Sequence, residues 1–81
     1  MEEKVAIIGI FVSDQNAVGQ VNELLHEYAP YIIGRMGLPY KEKSIHIMSI
    51  ILSASPDVIS ALSGKLGRIQ GISAKAMQSK F

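Results

Sequence analysis

The sequence predicts an α+β fold in which one four-stranded antiparallel sheet carries two helices on a single side. Strand and helix signals alternate along the 81 residues in the order strand, helix, strand, strand, helix, strand. The two strongest strand signals, 4–12 and 45–54, are apolar at odd and even positions alike. A strand covered on one side only should alternate with polar residues. We therefore expect a second copy of the chain to cover the other face of the sheet.

The first half of the chain contains a strand, a helix and a short second strand. The first strand ends at Ser13 and Asp14, whose side-chain oxygens can cap a helix that begins near Gln15. The apolar residues of this helix share one stripe at helical spacing, namely Val18, Val21, Leu24, Leu25 and Tyr28. Pro30 ends the helix, and 31–36 is predicted to be the second strand, which residues 37–39 (Gly-Leu-Pro) interrupt.

The second half repeats the pattern with a longer helix. After the third strand, Ser55 is predicted to cap a helix that has Pro56 at its first position and an acidic residue next. Its buried stripe is predicted to consist of Val58, Ile59, Leu62, Leu66 and Ile69. Gly67 or Gly71 supplies the left-handed residue after the helix, and 72–78 forms the last strand.

Two such halves are predicted to fold as a ferredoxin-like βαββαβ two-layer sandwich with the strand order 4-1-3-2. Residues 1–81 are expected to form one domain, since a chain of this length closes a single small core. A doubly wound parallel sheet would need a helix between the second and third strands. Only a short polar connection lies there, so that alternative is disfavoured.

Alternation along the third strand divides its residues between two faces. One face carries Ile45, Ile47 and Ile51, and the other carries His46, Met48, Ile50 and Leu52. We expect the face with His46, Met48 and Ile50 to point away from the helices. Because it is mostly apolar, it is predicted to form the interface of a homodimer or tetramer.

The residue content excludes several kinds of site. The chain has no cysteine, which excludes disulfides, thiolate catalysis and cysteine-ligated metals. His26 is predicted to be a solvated residue of the first helix. His46 and its symmetry mate would supply only half of a metal site, so we expect no metal and no cofactor. The apolar runs are too short for a membrane span, and without a leader segment the expected location is the cytoplasm.

The best polar candidates for a ligand site are Arg35 and the turn formed by Ser13, Asp14, Gln15 and Asn16. The N–H groups at the start of a helix suit anions, and a guanidinium can hold a carboxylate or a phosphate. We expect a small effector to bind near the turn at a subunit boundary, with Arg35 as an anion anchor.

Catalysis and direct nucleic-acid binding are not expected. An acyl-phosphate site after the first strand needs an arginine, and the turn offers only Asn16. The basic residues are scattered along the second half of the chain. RNA-binding sheets of this topology stack bases on aromatic residues of the central strands, and Phe11 is the only one here.

Three segments carry a resemblance to a known family. VNELLHEY at 21–28, RMGLP at 35–39 and especially ALSGKLGRIQGI at 61–72 resemble small stand-alone ACT-like proteins assigned as regulators of the iron-only hydrogenase system. The resemblance implies the ferredoxin-like fold and a regulatory, ligand-sensing role without catalysis. Any transcriptional role would need a separate DNA-binding partner. The alternatives are a protein-interaction module and a metal-responsive regulator that uses His46.

The turn after the first strand departs from the ACT pattern. In ACT domains that bind amino acids, an Asp-x-Pro-Gly turn occupies this place. Asp14 matches the Asp, whereas Asn16 and Ala17 replace the Pro and the Gly. The resemblance therefore does not extend to a conventional amino-acid site.

Overall fold

Four strands and two helices build the part of the molecule that a computed structural model describes, residues 2–81. The strands are β1 (Lys4–Val12), β2 (Ile32–Tyr40), β3 (Ile45–Ala54) and β4 (Ile72–Gln78), and the helices are α1 (Val18–Glu27) and α2 (Pro56–Gly67). Single 3-10 turns occupy Gln15–Ala17, Ala29–Tyr31 and Lys41–Lys43. The order β1-α1-β2-β3-α2-β4 confirms the predicted alternation.

The strands form one antiparallel sheet in the order β2-β3-β1-β4, which is the predicted 4-1-3-2 order counted from the opposite edge. β1 and β3 occupy the centre, and Ile8 pairs with Ile50 near the middle of both strands. Residues of both helices share one core with one face of the sheet. The fold is therefore the predicted ferredoxin-like two-layer sandwich.

The core uses every second residue of the two central strands. It contains Ala6, Ile8, Ile10 and Val12 of β1, Met48, Ile50, Leu52 and Ala54 of β3, Val21, Leu24 and Leu25 of α1, and Ile59, Leu62 and Leu66 of α2, with Ala17 beside them. No polar or charged side chain is buried anywhere in residues 2–81. Burial of apolar surface, about 25 cal/mol per Å², is thus the main stabilising contribution of this core.

The predicted assignment of the two faces of β3 is wrong. His46, Met48 and Ile50 lie beneath the helices, where Met48 is 5% and Ile50 is 0% exposed. The face away from the helices carries Ile45, Ile47, Ser49, Ile51 and Ser53. Ser49 and Ser53 explain why this face points away from the helices, because burying a hydroxyl without a hydrogen-bond partner costs about 1–3 kcal/mol. Met48 and Ile50 therefore fill the core of one chain and are not available for contacts between chains.

Both helices begin near their predicted caps. The Ser55 hydroxyl accepts a hydrogen bond from the Val58 N–H at 3.3 Å, and Pro56 is the first helical residue, as predicted. The Asp14 carboxylate accepts from the Asn16 N–H at 3.0 Å. This contact closes the 3-10 turn Gln15–Ala17, so the regular α-helix starts only at Val18.

The second strand is longer than predicted. β2 continues through residues 37–39 to Tyr40, so the predicted break at these residues is wrong. An edge strand tolerates a proline because one of its sides has no neighbouring strand to bond, and Pro39 pairs with His46 here. A β-bulge between Ile32 and Gly34 shifts the register at the start of the strand.

Gly71 makes the left-handed connection between α2 and β4, with φ of 84°. A Cβ atom at this position would lie 2.6 Å from Cβ of Asp14, so glycine is required by both conformation and space. Its carbonyl oxygen accepts from the Ser13 N–H at 2.8 Å. This bond ties the end of β1 to the start of β4.

Candidate functional site

The face of the sheet opposite the helices is apolar and exposed, and we call it the open sheet face. Its members are Val5, Ile7, Gly9 and Phe11 of β1, Met36, Leu38 and Tyr40 of β2, Ile45, Ile47, Ser49, Ile51 and Ser53 of β3, and Ser73, Lys75 and Met77 of β4. Phe11 is 51% exposed, and Ile7 and Ile51 are each 40% exposed. This exposed apolar surface is the candidate contact surface of the chain.

Two apolar rows of side chains cross the open sheet face, one on each side of a less apolar middle row. The cross-strand register aligns Leu38, Ile47 and Phe11 in one row, and Ile51, Ile7 and Met77 in the other. The middle row contains Met36, Ser49, Gly9 and Lys75. A Cβ atom added at Gly9 would meet nothing within 4 Å, so there is space for a side chain at the centre of the face.

A small groove lies between α1 and β2 on the helix side of the sheet. α1 contributes Asn22 and His26, which are one helical turn apart, and β2 contributes Arg35. Nη2 of Arg35 donates to Oδ1 of Asn22 at 2.8 Å. The apolar lining consists of Leu25, Ala29 and Ile32. The cavity has a volume of about 310 Å³.

The predicted ligand turn, residues 13–16, uses its polar groups within the chain. The Ser13 hydroxyl donates to the Gly71 carbonyl oxygen at 3.1 Å, and the Asp14 carboxylate caps the following turn. The four residues of the turn, including Gln15 and Asn16, are exposed. The turn therefore has a structural role that accounts for its serine and its aspartate.

Arg35 does not lie beside this turn. The pairing of the strands puts Arg35 in one row with Ile50 and Ile8. At about 3.3 Å per residue, this row is about 13 Å from Val12, the last residue of β1. Within one chain, the five predicted ligand residues thus fall in two separate places.

A second groove separates the end of α1 from α2. The ammonium group of Lys65 lies 5.2 Å from the centroid of the Tyr28 ring, and the rings of Tyr28 and Tyr31 are 6.1 Å apart. A hydrogen bond to Tyr28, aided by the charge of Glu27, raises the pKa of Lys65 above its ordinary value. Because Lys65 is fully exposed, this contact is a surface cation–π pair.

The two histidines lie apart, His26 on α1 and His46 at the start of β3. Across residues 2–81, no group of three or more histidine, aspartate or glutamate side chains is placed to hold a metal ion. In that same range, every helix is too short or too polar to cross a bilayer.

Asn22 and His26 are the residues of the groove that the sequence does not reveal. The pattern correctly predicts His26 as an exposed residue of α1, and Asn22 is exposed as well. Their position beside Arg35 depends on how α1 crosses β2, which hydrophobic periodicity does not determine. The open sheet face did leave a signal, since Ser49 and Ser53 share it with the isoleucines of β3.

These features define a small α+β domain whose sheet has an exposed apolar face. The chain belongs to the TM1266-like family, described as "Iron-only hydrogenase system regulator, putative", whose model matches residues 4–76. The chain is similar to TM1266, an uncharacterized protein from Thermotoga maritima, with 40% identity and a TM-score of 0.93. That similarity covers 98% of this chain and 100% of the other.

A more distant likeness concerns the fold alone. An unknown protein from Galdieria sulphuraria superimposes with a TM-score of 0.65 at 13% identity. The match covers 99% of this chain and 47% of the other, so a similar fold occurs within a longer polypeptide. No protein of curated function matches the chain.

Proposed function

We propose that this chain is a non-catalytic regulatory module of the iron-only hydrogenase system that works as a homodimer and senses a small-molecule effector. Membership in the family of regulators supports the regulatory role. The main observation that supports a dimer is the exposure of Phe11, Ile7 and Ile51 on the open sheet face. This assembly replaces the one predicted from the sequence, which used the face with His46, Met48 and Ile50.

The dimensions of the open sheet face suit a second copy of the chain. Four strands spaced about 4.8 Å apart, each roughly 30 Å long, give a projected area of roughly 500 Å². Two such faces in contact bury roughly 1,000 Å², which reaches the lower limit for a specific protein interface. Among the strand positions of this face in residues 2–81, the one charged residue is Lys75. It lies on edge strand β4, so its ammonium group can extend to the solvent at the rim of the proposed interface.

The absence of buried polar groups in residues 2–81 supports a role without catalysis. Catalytic acids, bases and nucleophiles usually lie in clefts that desolvate them and shift their pKa. Lys65, whose pKa is raised by its contact with Tyr28, has a fully exposed ammonium group. A module of this kind acts through the contacts it makes.

Sedimentation velocity of two matched glycine variants tests the dimer. Gly9→Lys puts a charge at the centre of the open sheet face, and Gly19→Lys puts the same charge on the exposed side of α1. A Cβ atom has free space at both positions, so both chains should fold. We expect the parent and Gly19→Lys at twice the chain mass of 8.8 kDa, and Gly9→Lys as a monomer.

Two results would count against the dimer. A parent that sediments as a monomer at micromolar concentration would favour a module that covers its sheet with a different protein. If Gly9→Lys and Gly19→Lys dimerised equally well, the open sheet face would not be the contact between copies.

A further inference from the structure

We infer that the groove between α1 and β2 binds a small organic oxyanion, a carboxylate or a phosphate with a short apolar tail, through Arg35, Asn22 and His26. The inference rests on the proposed sensing function and gives its effector a chemical class. It also moves the effector away from the turn at residues 13–16, where the sequence places it.

The positive charge of Arg35 has no carboxylate beside it. The one ion pair within 4.0 Å among residues 2–81 joins Lys4 to Glu2. Arg35 is exposed and donates to the neutral amide oxygen of Asn22. A guanidinium carries five N–H donors in a rigid plane that matches a carboxylate or a phosphate, so several donors are left for a ligand.

Asn22 preorganises the guanidinium of Arg35 for ligand binding. Because its Oδ1 accepts from Arg35 at 2.8 Å, its amide nitrogen is left as a donor at the edge of the same groove. The bond also fixes the guanidinium before a ligand arrives, which lowers the entropy lost on binding. His26, one turn further along α1, adds a third polar side chain to the lining.

The charges around the groove favour an anion on this side of α1. The residues that line the groove include no aspartate and no glutamate. The acidic residues of the helix, Glu23 and Glu27, line the neighbouring surface on the other side of Asn22 and His26. These two carboxylates mark the boundary of the site. They disfavour ligands that carry a second negative charge close to that boundary.

The rest of the lining suits a short hydrocarbon chain. Leu25 is part of the core, and Ala29 and Ile32 continue its apolar surface to the outside. A cavity of about 310 Å³ is at the small end of the range for ligand pockets, which run from about 300 to 1,000 Å³. The site therefore fits a small metabolite.

An arginine on an edge strand can also serve only to prevent strand pairing between molecules. That role needs neither Asn22 nor a cavity, and it predicts no saturable ligand. Titration of the ¹⁵N-labelled full chain with butyrate and with butyl phosphate separates the two roles. Equal ionic strength from sodium chloride serves as the blank.

We expect saturable shifts of the Arg35 Nε–H and Asn22 amide signals with at least one of the two probes. Arg35→Gln should weaken the binding about tenfold or more, since a hydrogen bond to a charged group is worth that much. Arg68→Gln, which removes an exposed arginine at the end of α2, should leave it unchanged. Asn22→Asp should abolish it, because the new carboxylate neutralises Arg35.

The comparison of butyrate with butyl phosphate tells whether the oxyanion is a carboxylate or a phosphate. No saturable shift with either probe, or equal affinity in the parent and in Arg35→Gln, would overturn the inference. Sedimentation of the same samples keeps this result apart from the proposed dimer. Arg35 is not on the open sheet face, so a dimer that binds neither probe contradicts the ligand site alone, and a monomer that binds contradicts the dimer alone.

Discussion

Replacing Phe11 by serine should dissociate the proposed homodimer. Phe11 lies in a row with Leu38 and Ile47 on the open sheet face and is 51% exposed in one copy. A phenylalanine side chain offers about 200 Å², so about 100 Å² per copy is left for a partner to cover. At about 25 cal/mol per Å², this area contributes about 2.5 kcal/mol per copy and about 5 kcal/mol per dimer.

A loss of this size is large enough to measure directly. Because each 1.4 kcal/mol is a factor of ten, the dissociation constant of the dimer should rise by about three to four orders of magnitude. Sedimentation velocity over a dilution series would show the parent near twice 8.8 kDa and Phe11→Ser near 8.8 kDa at the same concentration. Thermal melts followed by circular dichroism would verify that the variant is folded, as expected for a residue outside the core.

The control is an exposed aromatic residue on another surface. Tyr31 is 37% exposed in the connection between α1 and β2 and does not belong to the open sheet face. Tyr31→Ser should leave the dimer intact. If both variants weakened the dimer equally, or if neither did, then the area argument for the open sheet face would be refuted.

Three further substitutions test the fold and one surface contact. Gly71→Ala should lower the free energy of unfolding by about 1–3 kcal/mol in urea, since φ is positive and Asp14 lies too close. Met48→Lys should abolish the cooperative thermal transition even in dilute protein, because an unpaired buried charge costs about 3–5 kcal/mol and this side chain is in the core. Tyr28→Phe should lower the pKa of Lys65 toward 10.5 in an NMR titration. Because the pKa is raised, the Tyr28 contact stabilises the parent at neutral pH, and this stabilisation is lost as the pH rises through the folded-state pKa of Lys65. If Lys65 titrates identically in Tyr28→Phe and in the parent, the contact does not form.

The sequence was sufficient for the fold because local signals agree with one another. Ser55 and Pro56 start a helix, Pro30 stops one, and 72–78 forms a strand that ends where the pattern ends. The failure at residues 37–39 is also physical. A Gly-Leu-Pro segment breaks a central strand, but β2 lies at the edge, and strand position depends on the whole topology.

The candidate sites were less predictable, since they depend on distances between elements. On β3, Ser49 and Ser53 are a stronger signal for the outer face than His46. A half-buried histidine at the end of a strand is easier to accommodate than two hydroxyls in the core. The pairing of Arg35 with Asn22 joins two elements across the layers, and no periodic pattern records it.

Strand β2 carries the two proposed contacts on its two sides, so ligand binding and dimerisation should influence each other. Arg35 faces the groove, while the adjacent Met36 belongs to the open sheet face. The glycines at 34 and 37 and the bulge leave this edge strand easier to displace than β1 or β3. A ligand that draws Arg35 toward α1 should therefore move Met36 relative to a second copy.

Thermodynamic linkage makes this coupling reciprocal. If dimerisation changes the affinity for the ligand by some factor, then ligand binding changes the dissociation constant of the dimer by the same factor. Couplings of this kind usually amount to about 5–150-fold, so sedimentation with and without saturating butyl phosphate or butyrate, whichever binds, would detect it. An unchanged dimer constant at saturation would mean that the two sides of β2 act independently.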